Sequence, residues 1–554
     1  MKKYIVPILI AGFSLQFSGC SDFLDKTPDN RTQIDSKKKV QQLLVTAYST
    51  ASYGLMGEMS SDNMVDNNSP DDTGNYETKE AASRLDDEAY AWNDIQSTTA
   101  QDSPFYLWNN HYHAIATANA ALDAIEELEA EGIDMRAEKG EALLCRAYHH
   151  FILVNVFGQH YKDENLSASD LGVPYAIESE KIVEGKYERK SVAETYALIQ
   201  ADLEAGLSLV DDSYYSVPKY HFNKKAAYAF ATRFYLYKRD WQKVVECANV
   251  ALANLTQGSL RDAQKIKNSG YPDSEIYVWI DEKQPCNLLI MPVYSNFLRS
   301  FWNTRYGFNR EAQKGTFKGK GPSWDKDFPA YSFWTYGAKF GGFISKIYEL
   351  FEYTDKVAGI GYPRMVRQEF TTNETLLCRA EALIYLNRMP EALDDLNLWS
   401  KACLCAGEVT DATIRGFYTE ENPLMTPQLN ADQMSPSFIV SNDILPYIHC
   451  VLHFRRIETA HDGMRWFDLK RYGIEIQHKI GLSSVETLKW NDDRRAIQLP
   501  QDVIGAGIPA NPRNNVSINN PSFGYISGTG SILNPIPKEE LSKLVNEFAP
   551  KENE

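Results

Sequence analysis

The chain is poor in cysteine, and its one long apolar run lies at its start. Eight cysteines occur in 554 residues, and the seven beyond Cys20 are scattered along the chain. Their spacing fits neither a dense disulfide framework nor the paired Cys-x-x-Cys pattern of a zinc site. Cys403 and Cys405 stand two apart, and we interpret them as two small buried side chains because so short a loop closes poorly. No second apolar stretch approaches the ~18 residues of a membrane-spanning helix.

The chain also lacks a basic surface and the common catalytic motifs. Its formal net charge is −17 and no lysine or arginine stripe is present, which excludes a nucleic-acid partner. There is no Gly-x-Ser-x-Gly, His-Glu-x-x-His or P-loop. His449 and His453 lie one helical turn apart, but no glutamate follows His449, so we interpret both as core or interface residues. We therefore expect no catalytic residue, no metal and no cofactor.

The N-terminus is typical of a secreted lipoprotein. Lys2 and Lys3 precede an apolar run at 4–17, and small residues then lead to Cys20. A run this short reads as a signal peptide rather than a transmembrane helix. Its end resembles a bacterial lipobox, in which the cysteine is acylated and becomes the new N-terminus. We predict a signal peptide at 1–19, lipid attachment at Cys20, and an outer-membrane location facing the cell exterior, with the lipid as the only membrane contact.

Apolar residues recur at helical spacing over much of the chain. Ile115, Ala118 and Leu122 fall on one stripe of the segment 105–130, which predicts a core-facing helix. Ser191 and Glu194 form the capping-box pattern that begins another helix. The same spacing predicts further helices at 37–57, 137–157 and 447–472. The fold class is therefore mainly α.

Two later segments, 224–254 and 374–405, have the shape of helical hairpins. The first helix of each carries small residues and ends in Tyr-Leu, at Tyr235 and Tyr385, and a tight turn precedes the second helix. Small residues let two helices approach closely, which is the packing of tetratricopeptide-like repeats. No strict 34-residue period is present.

Long irregular stretches separate the helices and predict a division of the body, 20–554. We expect helical hairpins at about 37–255 and 374–472 and an irregular C-terminal segment at 474–554. Between them we expect a large loop-rich, ligand-binding subdomain at about 256–370 plus 406–445. Loops of this length inside a compact protein are usually functional.

Aromatic residues concentrate in one part of that subdomain. Residues 294–353 contain 18 aromatics in 60 positions, or 30% against 12% for the chain. Because the segment has few regular elements, we expect exposed rings that form a binding platform. A flat ring can stack on the C–H face of a sugar while asparagine side chains hydrogen-bond its hydroxyls. The predicted ligand-binding residues are Trp92, Asn93, Trp302, Trp324, Tyr331, Trp334 and Tyr336.

Six segments, in order along the chain, resemble the characteristic blocks of one family. They are 20–25 (CSDFLD), 107–119 (LWNNHY leading to Ile115 and Asn119), 140–174 (GEA, RAY, FG and GVP), 378–397 (CRAEA and Asn397), 458–471 (Glu458 and DGMRWFDLKR) and 535–540 (PIP and Glu540). On these residues the chain resembles the SusD/RagB family of outer-membrane nutrient-binding lipoproteins. Asp462 departs from the pattern, where glutamate is commoner.

The resemblance implies a tetratricopeptide-like body that lies over a SusC-like TonB-dependent transporter and captures oligosaccharides, or in some branches peptides. In the DGMRWFDLKR block we interpret Trp466 and Phe467 as core, with Arg465 and Asp468 able to pair along one helix face or to hydrogen-bond backbone. Two other hypotheses stay open. The chain could be a helical-repeat protein whose aromatics serve a protein partner, or a surface glycoside hydrolase, because spacing in sequence does not locate an acid–base pair.

Overall fold

The computed structural model describes residues 34–516 apart from 77, 79–81, 97, 180–186, 302–303, 332–333 and 336–340. The predicted signal peptide and Cys20 lie outside these residues, as does the part of the C-terminal segment from 517 onward. Within the described residues, no helix combines the length and apolar character needed to cross a bilayer.

Helices account for most of the regular structure. In the first half of the chain they are α1 (Lys37–Leu44), α2 (Gly54–Met59), α3 (Arg84–Tyr90), α4 (Pro104–Ala130), α5 (Arg136–Phe157), α6 (Val192–Leu209), α7 (Lys224–Lys238), α8 (Trp241–Ala251), α9 (Ala263–Lys267) and α10 (Pro272–Ile280). In the second half they are α11 (Phe297–Phe301), α12 (Arg310–Gln313), α13 (Thr372–Tyr385), α14 (Met389–Ala402), α15 (Asp411–Phe417), α16 (Ala431–Met434), α17 (Leu445–Glu458), α18 (Met464–Tyr472) and α19 (Gln501–Gly505). The predicted mainly-α fold is confirmed.

The strands are short and form antiparallel pairs. They are β1 (Val65–Asp66), β2 (Asn287–Tyr294), β3 (Tyr306–Gly307), β4 (Trp334–Thr335), β5 (Gly342–Phe343), β6 (Glu352–Asp355), β7 (Ile360–Tyr362), β8 (Arg364–Thr371), β9 (Ile476–Ile480) and β10 (Ser484–Leu488). The pairs are β1 with β3, β2 with β8, β4 with β5, β6 with β7, and β9 with β10. The longest pair, β2–β8, is almost wholly buried and packs against α7.

The first helices form one packed layer. α5 lies between α4 and α6 and is buried along nearly its whole length. The capping box predicted at the start of α6 is present: the Glu194 amide donates to Ser191 Oγ at 3.1 Å, and the Ser191 amide donates to the Glu194 carboxylate at 2.8 Å. These bonds satisfy amide groups that a helix N-terminus leaves unpaired.

The two predicted hairpins are α7–α8 and α13–α14, and α8 packs against α13 so that the hairpins stack. Their turns use left-handed backbone, at Arg239 with φ 65° and Asn387 with φ 57°. The small residues predicted to allow close approach, including Ala227 and Ala380, are fully buried. Packing of α17 on α13 continues the stack.

The prediction of one continuous helix over 447–472 is wrong. α17 ends at Glu458, and α18 begins at Met464 after a turn at Gly463, whose φ is +74°. A Cβ on Gly463 would lie 2.8 Å from the Gly54 carbonyl oxygen, so only glycine fits both the backbone angle and the close approach of α2. After the break, α18 packs on α2.

A buried ion-pair network joins α13, α17 and α18. Arg455 contacts Asp468 at 3.0 Å, Arg471 contacts Asp468 at 2.7 Å, and Arg471 also contacts Glu381 at 2.8 Å. Burial opposes ionisation of Asp468, but the charges of the two arginines prevail and lower its pKa. All four side chains are buried, so the network is structural.

The core assignment of Trp466 and Phe467 is confirmed, since both are buried. Of the two alternatives for Arg465 and Asp468, the structure does not show their mutual pairing. Arg465 instead contacts Asp62 at 2.8 Å, because Asp468 faces the arginines of the buried network. The seven cysteines at 145, 247, 286, 378, 403, 405 and 450 are all buried free thiols.

Candidate functional site

Two loops that are far apart in sequence meet at the short β1–β3 pair. Asp66 is paired with Tyr306, and Val65 with Gly307. The pairing brings the loop before α3 together with the start of the aromatic-rich segment. The Gly481 amide, in the turn between β9 and β10, donates to the Asp66 carboxylate at 2.9 Å and adds a third segment to the same place.

Charged side chains hold this junction together. Arg305 donates to the Asp66 carboxylate at 2.7 Å and lies 3.5 Å from Asp87, while the Tyr306 hydroxyl donates to Asp87 at 2.6 Å. Burial raises the pKa of Asp87, although the hydrogen bond from Tyr306 and the charge of Arg305 act in the opposite direction. The Asp87 carboxylate is therefore held by Arg305 and Tyr306 and is only partly exposed to water.

Amide side chains extend the junction toward solvent. Asn309 donates to the Asn67 side chain at 3.0 Å, and Lys314 contacts Asp72 at 2.8 Å. These contacts lay the 66–76 loop over the residues that follow β3. Tyr76, at the end of this loop, keeps 50% of its surface exposed.

We name the result the β1–β3 surface and define it by five exposed or half-buried side chains, Asn68, Tyr76, Asn93, Arg305 and Asn309. Asn93 lies in the turn after α3, the helix whose Asp87 contacts Arg305 and Tyr306, and its side chain is exposed. The surface offers amide groups, which donate and accept hydrogen bonds, and a guanidinium group, which donates them, and Tyr76 on the 66–76 loop supplies an exposed aromatic ring. That combination suits a polyhydroxylated ligand.

Trp92 was predicted to be exposed, and the structure corrects this. Its φ of 55° turns the ring inward, where it is 5% exposed and its Nε1 donates to the Ser60 carbonyl oxygen at 2.9 Å. Its ring stacks on His478 at a centroid distance of 4.2 Å. Trp92 is therefore a buried residue that packs against β9, and its ring does not form part of the exposed β1–β3 surface.

Trp324 and Tyr331 were also expected to be exposed and are buried instead, at 5% and 9%. Trp324 packs edge-on against Phe328, with 5.1 Å between the ring centroids, and the ring centroids of Tyr331 and Trp279 are 5.2 Å apart. The reason is that a segment with little regular structure still needs apolar burial to stay folded, and large rings supply it. These rings form a core between the loops and the helices.

The remaining predicted residues divide into two groups. Trp334 is half-buried and its Nε1 donates to Glu275 at 3.1 Å. Trp302 and Tyr336 lie outside the described residues, and for them the ligand-binding assignment stays a prediction. Trp302 is three residues before Arg305 in the sequence.

Sequence reasoning missed Asn68, Tyr76, Arg305 and Asn309. Arg305 and Asn309 stand inside the aromatic-rich segment, so the predicted segment and the β1–β3 surface overlap. What the sequence did not show was the pairing of β1 with β3, two strands of two residues each. Strands of two residues are too short to show the alternation of apolar and polar residues by which a strand is recognised in a sequence.

Comparisons with known proteins agree with this fold. Residues 22–236 match the family model described as "Starch-binding associating with outer membrane", and residues 327–546 match the model described as "SusD family". A curated relative, SusD-like protein P2 of Formosa agariphila, is 27% identical over 157 residues. The match spans 28% of this chain and 28% of the length of that relative.

Solved structures are similar over most of the chain. A SusD superfamily protein of Bacteroides vulgatus is 20% identical, with a TM-score of 0.56, and the match covers 85% of this chain and 97% of that one. A putative sugar binding protein of the same organism is 16% identical, with a TM-score of 0.57 and coverage of 88% and 100%. A SusD superfamily protein of Bacteroides fragilis is 17% identical, with a TM-score of 0.54 and coverage of 84% and 96%.

The stacked hairpins and the loop-rich face define a tetratricopeptide-like protein of mainly α structure. The two family matches, one in each half of the chain, identify the family to which it belongs. The chain belongs to the SusD/RagB family.

Proposed function

We propose that the chain is a cell-surface lipoprotein that captures oligosaccharides on the β1–β3 surface and passes them to a SusC-like TonB-dependent outer-membrane transporter. Family membership supports the general activity. The observation that carries the location is the β1–β3 junction, where hydrogen bonds and ion pairs join the 66–76 loop, α3 and the residues around β3. Exposed or half-buried amide, tyrosine and arginine side chains lie on these segments. The proposal assigns binding and transfer, without catalysis.

The chemistry of the surface fits a neutral sugar. Asparagine amides and the Arg305 guanidinium can hydrogen-bond ring hydroxyls, while the Tyr76 ring offers a flat apolar face. One stacked ring contributes about 1 kcal/mol beyond buried area and one hydrogen bond about the same. A few such contacts give modest affinity, which suits a receptor that must release its cargo. Trp302, Tyr336 and Trp334 are proposed as additional rings of this site.

Binding to the β1–β3 surface is tested with two exposed residues. Replacing Asn93 or Tyr76 with alanine is expected to weaken oligosaccharide binding about tenfold, because each change removes one hydrogen bond or one stacking ring. Stability should not change, since both side chains are exposed. The measurement is calorimetric titration with the tightest binder from a broad oligosaccharide panel.

Tyr220→Ala is the matched control, because Tyr220 is 39% exposed and lies in the connection between α6 and α7. It should leave affinity unchanged. Equal affinity in all three variants would place the sugar elsewhere, and a panel without any binder would refute glycan capture.

The anchor is tested separately at Cys20. Cys20→Ser is expected to release the protein from the membrane fraction, because the acyl chains attach through the thiol and the new N-terminus of this residue. Membrane fractionation and intact-mass analysis measure the outcome. A wild-type chain without added lipid mass would contradict the lipoprotein assignment.

A further inference from the structure

A cavity lies beside the start of α17, in a part of the chain that is distant in sequence from the β1–β3 surface. It has a volume of about 500 Å³ and is lined by residues between 418 and 449, so we name it the 418–449 cleft. Its walls come from the chain that follows α15, from α16 and from the first turns of α17. This volume lies in the range of about 300–1,000 Å³ that is usual for small-molecule sites.

One histidine is among the residues that line the cleft. His449 lines the cleft and is 5% exposed. Its Nδ1 is buried without a hydrogen bond, and neither ring nitrogen bonds to a residue that the structure describes. Burial lowers the pKa of His449 to about 4, so the ring is neutral at pH 7. The ring therefore adds no positive charge to the lining of the cleft.

Part of the cleft wall is aliphatic and stiff, beside polar residues such as Thr426 and Gln428. Pro423, Pro427 and Pro446 contribute rings without an amide N–H, and Leu429 and Ile439 contribute branched side chains. Ile439 keeps 65% of its surface exposed. The one aromatic lining residue, Tyr418, is 4% exposed and its hydroxyl is hydrogen-bonded to His453 at 2.9 Å. The cleft therefore offers aliphatic contact and no flat ring for a sugar.

The rim is negatively charged. Glu420 and Asp432 line the cleft and are exposed, and neither forms an ion pair with a described residue. Among the described residues that line the cleft, none is a lysine or an arginine. A cation close to two exposed carboxylates is attracted at low ionic strength, and salt screens this attraction.

From these contacts we infer that the 418–449 cleft binds a ligand in which an aliphatic group lies next to a primary ammonium group. The aliphatic group packs between the prolines and Ile439. The ammonium group faces Glu420 and Asp432. Two sources carry this chemistry, the leucine-lysine unit of a peptide and a free alkylamine. The inference does not depend on glycan capture at the β1–β3 surface.

The test is saturation-transfer NMR on the full chain in detergent, which detects weak ligands of large proteins. The probes are acetyl-Leu-Lys-amide, n-hexylamine, acetyl-Leu-Glu-amide and maltoheptaose. Signals are expected from at least one of the two ammonium probes, and they should fall as salt rises. Signal from hexylamine without the lysine peptide identifies a free amine as the source, and the reverse identifies a peptide.

Variants then locate the bound probe. Glu420→Gln with Asp432→Asn is expected to weaken ammonium-probe binding about fivefold, because two exposed ion pairs are lost. Ile439→Ser should weaken it further by removing aliphatic contact. The control is Glu126→Gln with Glu127→Gln, which removes the same charge from exposed positions on α4 and should change nothing.

Three results would overturn the inference. Neither ammonium probe could bind, the glutamate peptide could bind as well as the lysine peptide, or maltoheptaose could bind and be lost in the cleft variants. Because the substituted side chains are exposed, the variants should fold as the wild-type chain does, and far-ultraviolet circular dichroism checks this.

Discussion

Replacing Asp468 with alanine is expected to lower the free energy of unfolding by about 3–5 kcal/mol. Asp468 lies 3.0 Å from Arg455 and 2.7 Å from Arg471, and all three side chains are buried. The substitution leaves two guanidinium groups in the core with Glu381 as their nearest remaining acid. Uncompensated buried charge costs far more than the lost attraction between exposed groups. Urea unfolding followed by circular dichroism measures the change.

A matched control exists on the surface. Arg388 and Glu391 are three residues apart and largely exposed, and they form an ion pair with an N–O distance of 2.6 Å. Glu391→Ala should leave the unfolding midpoint unchanged, because water solvates either charge alone. Equal effects of the two substitutions would show that the buried network does not hold α13, α17 and α18 together.

The second large effect concerns Trp324. Trp324→Ala is expected to cost about 3–5 kcal/mol of stability, the usual range for removing a large buried aromatic. Trp324 is 5% exposed, and its ring packs against Phe328 and Phe454. The change leaves a cavity that these rings fill only in part. Urea unfolding again provides the measurement.

Tyr353→Ala is the control from the same aromatic-rich segment, because Tyr353 is 43% exposed. Its effect on stability should stay within about 0.5 kcal/mol, as for most surface substitutions. If Trp324→Ala left stability unchanged and instead abolished sugar binding, Trp324 would be an exposed ligand residue and its placement in the core would be wrong.

The helical part of the fold was readable from the sequence because its signals are local. The capping box at Ser191, the small residues of the hairpins and the apolar stripes each lie within a few turns of one helix. The break at Gly463 could not be predicted from the sequence. Glycine is required there because of the close approach of α2, which lies more than four hundred residues earlier in the chain. A contact of that kind leaves no periodic trace.

The candidate site was only partly readable. The aromatic-rich segment and Asn93 belong to the parts of the chain that form the candidate site, but exposure was assigned to rings that the structure buries. Trp92, Trp324 and Tyr331 show the reason, because ring content identifies a need for packing as well as for binding. Which rings face solvent depends on long-range pairing such as that of β1 with β3.

Hydrogen exchange of the full chain, with and without the tightest-binding oligosaccharide of the panel, tests sugar capture at the β1–β3 surface most directly. Ligand should slow amide exchange at 65–76, 84–94 and 304–310, the segments that carry the side chains of that surface. Protection confined to other parts of the chain, such as 418–449, or no protection at saturating ligand, would contradict the account.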